Sequence, residues 1–517
     1  MKYKNPVISG FHPDPSVCRV GDDYYLVNSS FEYFPGIPVF HSKDLIHWEQ
    51  IGHCITRNEQ ITYRKGAPNC SGMFAPTIRY SNGIFYVICT NVTFGQKHDG
   101  NFIVWTDDPA GEWSDPVWLK TPGIDPSLFW DDDGKVYYTG TYQKIFVCEI
   151  NPKTGEVIGE RKKVWGGTGG NDPEGPHIYK RNGWYYLLIS EGGTEYGHMV
   201  TVARSKDIFG PYESCPRNPV LTNRSTSLPI KAVGHADLIE DTKGNWWAIC
   251  HGIRTISYPF KHNLGRETLL VPVTWDEEGW PVFGNAGMVK DEIEVEDMIE
   301  VQGSVDVQEG AKKSSKKGKV ILDNFSGTKL KPEWNFIYNP CEELWQLHQN
   351  KLTLYGSETA LSDAESLAWV GRRQEHLECI ASTQLRFIRM QDNEEAGISI
   401  YLNNKHHYEA ALTRIHDKGY IILRRQIGSL WKIENQIPYN SNTVVLELHC
   451  SKDTYSFWYG DTKDEVKFLG KGETEYLTTE VGGKFTGNYI ALYATGNGVK
   501  CREGADFEWF EYKAGRE

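Results

Sequence analysis

The sequence predicts an all-β protein: a five-bladed β-propeller followed by a C-terminal β-sandwich of jelly-roll type. Three observations carry this. A short motif recurs five times in the first 285 residues. Aromatic residues, which favour strands and offer faces to sugar rings, make up 13% of the chain, with 17 Trp and 28 Tyr. Beyond residue 320, short alternating strands are separated by turn residues about every ten positions.

In each repeat a motif with Pro or a small residue precedes an apolar strand, and a Gly-aromatic strand follows. The first reads Asp14-Pro15-Ser16-Val17, then Gly21-Asp22-Asp23-Tyr24-Tyr25. Ala75-Pro76-Thr77-Ile78 leads to Gly83-Ile84-Phe85-Tyr86, and Asp125-Pro126-Ser127-Leu128 to Gly134-Lys135-Val136-Tyr137-Tyr138. The fourth pairs Glu174-Gly175-Pro176-His177-Ile178 with Gly183-Trp184-Tyr185-Tyr186; the fifth pairs His235-Ala236-Asp237-Leu238 with Gly244-Asn245-Trp246-Trp247. The lead residues fall at 14, 75, 125, 174 and 235, a spacing of 49 to 61 residues. A period near fifty, filled with short strands, is the signature of four-stranded propeller blades. Asn82-Gly83, Asp133-Gly134 and Asn182-Gly183 supply hairpin turns, and helical periodicity is nearly absent.

The start of each blade's innermost strand lies near the propeller axis, so the five lead residues converge on one opening. They are Asp14, Ala75, Asp125, Glu174 and His235. A single Asp-Pro is an ordinary turn former. Three acids at the same repeat position exceed what turns need.

Two carboxyls flanking a sugar are the minimal equipment for cleaving a glycosidic bond, one protonated to assist the leaving oxygen and one ionised to activate water. A third carboxylate raises the pKa of the acid by like-charge repulsion. Glu174, with its longer arm, is the candidate acid. Asp14 and Asp125 remain interchangeable as base and orienting partner at this level.

Composition narrows the alternatives. The net charge is −13, and beyond one short lysine cluster the chain has no basic block, which excludes nucleic acid as the expected partner. No apolar run approaches the length of a membrane span. The segment Met1-Lys2-Tyr3-Lys4-Asn5-Pro6 lacks the apolar region of a signal peptide, so a cytoplasmic location is expected. Eleven cysteines, scattered without a CxxC pair, read as reduced, mostly buried thiols rather than a zinc site.

Several segments resemble glycoside hydrolase family 43, in its two-domain branch of β-D-xylosidases and α-L-arabinofuranosidases. They are Gly10-Phe11-His12-Pro13-Asp14-Pro15-Ser16, Ser30-Phe31-Glu32-Tyr33-Phe34-Pro35-Gly36, Ile124-Asp125-Pro126-Ser127-Leu128-Phe129 and Glu174-Gly175-Pro176-His177. Gly192-Gly193-Thr194, Gly234-His235-Ala236, Leu264-Gly265-Arg266-Glu267-Thr268 and Ala505-Asp506-Phe507 extend the likeness along the chain. The resemblance implies a single-displacement, inverting mechanism. It implies Asp14 as general base, Asp125 as pKa modulator and Glu174 as general acid. It further implies Arg266 as a substrate-contacting arginine that holds Asp125 ionised, and Phe31 as an aromatic wall of the sugar subsite. His235 carries two implied roles: a substrate hydrogen bond, or a structural calcium held through waters in the channel. No cofactor is required for the chemistry. One departure concerns Phe74-Ala75-Pro76, where the xylosidase-type relatives have Trp-Ala-Pro. The smaller ring at Phe74 points to arabinofuranosidase preference with dual activity.

The expected division is a catalytic propeller over 1–300, a linker over 301–319 and a sandwich over 320–517. The linker carries Lys312, Lys313, Lys316, Lys317 and Lys319. Strands are expected in Ala396 to Leu402, Tyr420 to Leu423 and Val444 to Leu448. By its pattern alone the sandwich could bind carbohydrate; the resemblance implies instead that it packs on the propeller and brings Phe507 toward the substrate. A homo-oligomer is a further implication. The expected activity is exo-release of arabinose or xylose from hemicellulose oligosaccharides. An endo-acting arabinanase and a non-catalytic sugar-binding propeller are the competing readings.

Overall fold

The computed structural model describes residues 2–63, 65–95, 98–295, 320–483 and 485–515. The expected linker at 301–319, with its lysines, lies outside the described residues. The chain divides into two compact units. The first comprises Met1–Arg64, Ser71–Thr255 and Arg266–Gln302; the second is Gly303–Glu517 together with two stretches from earlier in the chain, Lys65–Cys70 and Ile256–Gly265.

The first unit is a β-propeller whose five antiparallel sheets match the five sequence repeats one to one. Their innermost strands are Ser16–Val20, Thr77–Ser81, Ile124–Trp130, Glu174–Arg181 and Ile230–Glu240. Each of these touches the next, and the last touches the first, so the ring is closed. Apolar side chains fill the spaces between neighbouring sheets. Leu188, Val200 and Val202 meet Leu238, Ala248 and Val271 in one such layer, and Tyr138 and Phe146 meet Ile88 and Ile103 in another. The strand Lys2–Lys4 pairs with Glu292–Glu294 and ties the beginning of the unit to its end.

Turn chemistry sets the register. Asn82 and Gly83 both take positive φ (51° and 84°), as do Asn182 and Gly183 (50° and 71°), which is the two-residue hairpin turn that Asn-Gly favours. Asp133-Gly134 differs: only Gly134 is left-handed, and the turn is longer, closed by Asp131 N–H donating to the Lys135 carbonyl at 3.0 Å.

Below the opening, the axis is plugged by a buried polar cluster. Arg79 donates to both oxygens of Asp237 (2.8 and 3.0 Å), Ser16 Oγ donates to Asp237 at 2.6 Å, and Tyr179 Oη at 2.5 Å. These bonds cross-link innermost strands of four sheets, which fixes the blades relative to one another where the site is built.

The second unit holds an antiparallel sheet of eight strands and one of six. The larger includes Cys379–Arg386, Thr443–Cys450 and Ala505–Ala514; the smaller runs Ala368–Arg373, Tyr489–Thr495, Glu395–Asn403, His406–Ile415, Lys418–Ile427, Leu430–Pro438. The three expected strands fall inside observed ones. Ile398, Ile400, Leu412, Leu446, Leu448 and Phe457 are fully buried or nearly so and form the sandwich core.

Candidate active site

Local backbone geometry turns the lead residues into the opening. Asp14, Asp125, Gly175 and His235 all take left-handed φ (52°, 52°, 56° and 49°), each two residues before the regular strand pairing begins at Ser16, Ser127, His177 and Asp237. In three of the blades this is a bulge in the ladder, a device that re-aims a side chain off the sheet. The pattern corrects one expectation. Glu174 is not at the same repeat position as Asp14 and Asp125 but one residue ahead of it; Gly175 holds that position. A Cβ on Gly175 would stand 3.0 Å from His235 Cε1, so glycine there admits the His235 ring.

Asp14, Asp125 and His235 are buried to within a few per cent of full burial, and Glu174 keeps slightly more exposure. Asp14 Oδ1 accepts a hydrogen bond from Arg266 Nη1, and Oδ2 accepts one from Ser29 Oγ at 2.5 Å. Burial alone would raise the Asp14 carboxyl, but Arg266, His235 and His251 outweigh it and hold the group well below the usual carboxylate range. This corrects the expected partner of Arg266, which is Asp14 and not Asp125. Asp125 accepts from Gly175 N–H at 3.2 Å. Burial, with the charges of Glu174 and Asp14, pushes Asp125 up to about 7 in spite of His235.

Crowding was expected to raise Glu174. Burial does act in that direction, but His198 and His235 reach its carboxylate and leave it lowered. Of the three carboxyls Asp125 alone is raised, so it is the one that most favours the protonated form.

His235 joins the two candidate catalytic carboxyls. Its Nδ1 is 3.8 Å from Asp14 Oδ1 and 4.0 Å from Glu174 Oε1. Both carboxyls thus face one imidazole nitrogen. Burial would lower His235, but Asp14, Glu174 and Asp125 push it up to about 9. Among the described residues no group of three or more His, Cys, Asp or Glu is arranged to hold a metal.

Behind these groups runs a second line of histidines. His251 Nδ1 accepts the Asp14 backbone N–H at 3.1 Å, which leaves its Nε2–H to donate to His198 Nδ1 at 3.3 Å. His198 Nε2 stands 3.3 Å from Glu174 Oε1. Gly234 makes room for this ring, since a Cβ there would lie 2.4 Å from it. Ser190 Oγ accepts the His235 N–H at 2.6 Å. The sequence reading missed Ser29, Ser190, His198 and His251. A signal existed for two of them: Ser190 and His251 lie on the second strand of their blades, directly opposite Glu174 and Gly234.

Phe31 and Phe74, the rings expected to wall the sugar subsite, are neighbours. Their ring centroids are 5.2 Å apart, Phe11 packs on Phe31 at 5.8 Å, and the Arg266 guanidinium lies 5.8 Å from the Phe31 ring. Phe31 is buried at 2% exposure whereas Phe74 is partly exposed, so Phe74 presents the accessible face. Phe507 belongs to the second unit, opposite Leu352 and Leu385 on the strand Ala505–Ala514, with no exposed surface. Its expected contact with substrate is corrected to a packing role in the sandwich interior, because a ring without accessible surface offers no face to a sugar.

The family described as "Glycosyl hydrolases family 43" matches residues 3–281, and "Beta xylosidase C-terminal Concanavalin A-like domain" matches residues 322–513. The chain belongs to glycosyl hydrolase family 43. It is 39% identical over 526 residues to the non-reducing end alpha-L-arabinofuranosidase BoGH43B of Bacteroides ovatus, covering 99% of this chain and 94% of that protein. It is 38% identical over 531 residues to a xylosidase/arabinosidase of Butyrivibrio fibrisolvens, covering 98% of each. Among solved structures, the Bacteroides ovatus xyloglucan PUL GH43B superposes with a TM-score of 0.92 at 38% identity, covering 99% of this chain and 100% of that one. Family 43 membership makes the protein a glycosidase whose chemistry needs no cofactor, and accounts for both the propeller and the concanavalin A-like sandwich.

Proposed function

We propose that this family 43 enzyme is an exo-acting, inverting glycosidase that releases terminal α-L-arabinofuranose, and β-D-xylose, from hemicellulose-derived oligosaccharides. The observation that carries the reading is the pair of buried carboxyls gathered on one imidazole: Asp14, hydrogen-bonded to Arg266, and Glu174, both within 4.0 Å of His235 Nδ1. Asp14 takes a proton from water as its oxygen attacks the anomeric carbon. Glu174 gives a proton to the leaving oxygen on the opposite side. Seating the sugar removes water from Glu174; that added burial raises it, and the proton of the Asp125–Glu174 pair passes to it. Asp125 thus supplies and orients the proton, while His235 and Arg266 are placed to hydrogen-bond sugar hydroxyls.

Preference for arabinofuranoside is supported by Phe74 and by the likeness to the alpha-L-arabinofuranosidase of Bacteroides ovatus. A non-catalytic sugar-binding propeller has no use for this graded set of charges. Free thiols throughout, including Cys379 and Cys450 facing each other across strands without a bond, suit work in a reducing compartment on short oligosaccharides. The test is side-by-side turnover of 4-nitrophenyl α-L-arabinofuranoside and 4-nitrophenyl β-D-xyloside. Activity on both with the arabinofuranoside faster is expected; a folded protein inactive on both overturns the reading.

A further inference from the structure

The six-stranded sheet of the second unit carries a polar, aromatic cleft that the glycosidase chemistry does not use. Along Glu395–Asn403, His406–Ile415, Lys418–Ile427 and Leu430–Pro438, cross-strand pairing puts His407 opposite Gln426 and Glu409 opposite Arg424. On the edge strand, Trp431 lies opposite Gln426 and Ile433 opposite Arg424. Side chains in register share a face, so these residues form one surface, walled by the loop 360–362 and Asn497. The cleft holds about 300 Å³. That is the small end of the about 300–1,000 Å³ typical of ligand sites, a size for a short sugar segment.

The lining is built rather than incidental. Arg424 Nη1 donates to Glu409 Oε1 at 2.8 Å and to Glu395 Oε1 at 3.1 Å, and Nη2 to Glu395 Oε2 at 2.6 Å. Tyr493 Oη donates to Glu395 at 2.9 Å. Glu409, only 1% exposed, has an Oε2 with no hydrogen bond, 3.3 Å from His407 Nε2. His407 Nδ1 donates to the Asn403 carbonyl at 3.1 Å, which leaves Nε2 as a lone pair. At the rim Trp431 is 64% exposed on the edge strand, beside the Gly428 turn, next to Leu430 at 74%. A large ring held open to solvent over buried, planar hydrogen-bonding groups is the layout by which a sugar ring stacks while its hydroxyls bond beneath.

The charge balance selects the ligand class. Arg424 is spent on two carboxyl partners, so the cleft offers no free cation to a phosphate or carboxylate. Glu409 is enclosed between Arg424 and His407 at 1% exposure, so it adds no free charge at the cleft surface. We propose that this cleft is a second, non-catalytic saccharide site that holds an internal stretch of a neutral hemicellulose chain, with Trp431 as the stacking platform and Gln426 and Asn497 as hydroxyl partners. The site stands independently of the catalytic roles given to the propeller residues.

The test uses the full chain with Glu174→Ala, to prevent cleavage, in native gels containing arabinoxylan, xyloglucan or a mixed-linkage glucan. Branched polymers also offer terminal sugars to the propeller site, so the part of the retardation that depends on Trp431 reports the cleft. Retardation by at least one polysaccharide is expected, with Trp431→Ala weakening it by about tenfold or more. Trp431→Ala in the otherwise unaltered enzyme is expected to leave 4-nitrophenyl α-L-arabinofuranoside turnover within about twofold of its starting value, since the cleft plays no part in catalysis. Gln426→Ala gives a second variant with a milder loss of retardation. No retardation by any of the three, or equal retardation with and without Trp431, overturns the proposal. A change in particle mass by light scattering on Trp431→Ala also overturns it, because the face is then a contact between copies.

Discussion

Arg266 hydrogen-bonds Asp14 while leaving Asp125 to the single N–H of Gly175. The guanidinium thus separates two aspartates that the repeat pattern makes alike. It holds Asp14 as a carboxylate ready to accept a proton, and leaves Asp125, deprived of such a partner, protonated up to about 7. This contact, with His235 and His251, sets Asp14 apart from Asp125.

Removing the guanidinium tests that distinction. Arg266→Ala is expected to lower kcat/KM by about 10²–10⁴-fold. It is also expected to move the acid limb of the pH profile up by about 1–3 pH units, because Asp14 loses its counter-charge. A pH–rate series on 4-nitrophenyl α-L-arabinofuranoside measures both; an unmoved acid limb contradicts the assignment.

Leaving-group dependence tests Glu174. Glu174→Ala is expected to lose about 10²–10⁴-fold on unactivated oligosaccharides, and much less on aryl glycosides whose leaving groups need no proton. Kinetics on matched aryl and oligosaccharide substrates decide the matter. Equal losses remove Glu174 from the acid role.

Asp125 links activity to stability. Its folded pKa, about 7, lies above the ordinary value, so stability is lost as pH rises from the ordinary carboxylate range to about 7 and stays lost above it. Asp125→Asn is therefore expected to melt several degrees higher than wild type at pH 8–9 and to match it near pH 4, while losing most activity. Thermal unfolding across that range, read beside turnover, checks the prediction. In the wild-type enzyme the same group sets an alkaline fall in kcat/KM above about 7, and Asp14 keeps the acid fall below the ordinary aspartate range.

Phe74 is the accessible ring of the sugar wall. Phe74→Trp is expected to shift the ratio of arabinofuranoside to xyloside kcat/KM toward xyloside by about 3- to 10-fold, a difference of about 1 kcal/mol in contact energy. Parallel kinetics on the two nitrophenyl glycosides provide the measurement.

The propeller was legible because its signals are local. Asn82-Gly83 and Asn182-Gly183 impose their turns whatever surrounds them, and each motif of the repeat became the first strand of one sheet. The site was legible as a set of residues but not as a network. Glu174 looked equivalent to Asp14 until the backbone showed Gly175 at the left-handed position, because a bulge shifts register without changing composition. The partner of Arg266 depends on how the fifth sheet closes on the first, a contact 252 residues apart. His198 and His251 carry no motif of their own; they became visible only as rings stacked behind Asp14 and Glu174. Phe507 shows the reverse case, a residue whose motif suggested a substrate contact and whose ring has no exposed surface.

The central claim is single displacement between Asp14 and Glu174, and the anomer first released reports it directly. Proton NMR of the wild-type enzyme acting on 4-nitrophenyl α-L-arabinofuranoside is predicted to show β-L-arabinofuranose before mutarotation sets in. Appearance of the α-anomer first would contradict the account, because retention requires a covalent intermediate that this arrangement of base, water and acid does not form.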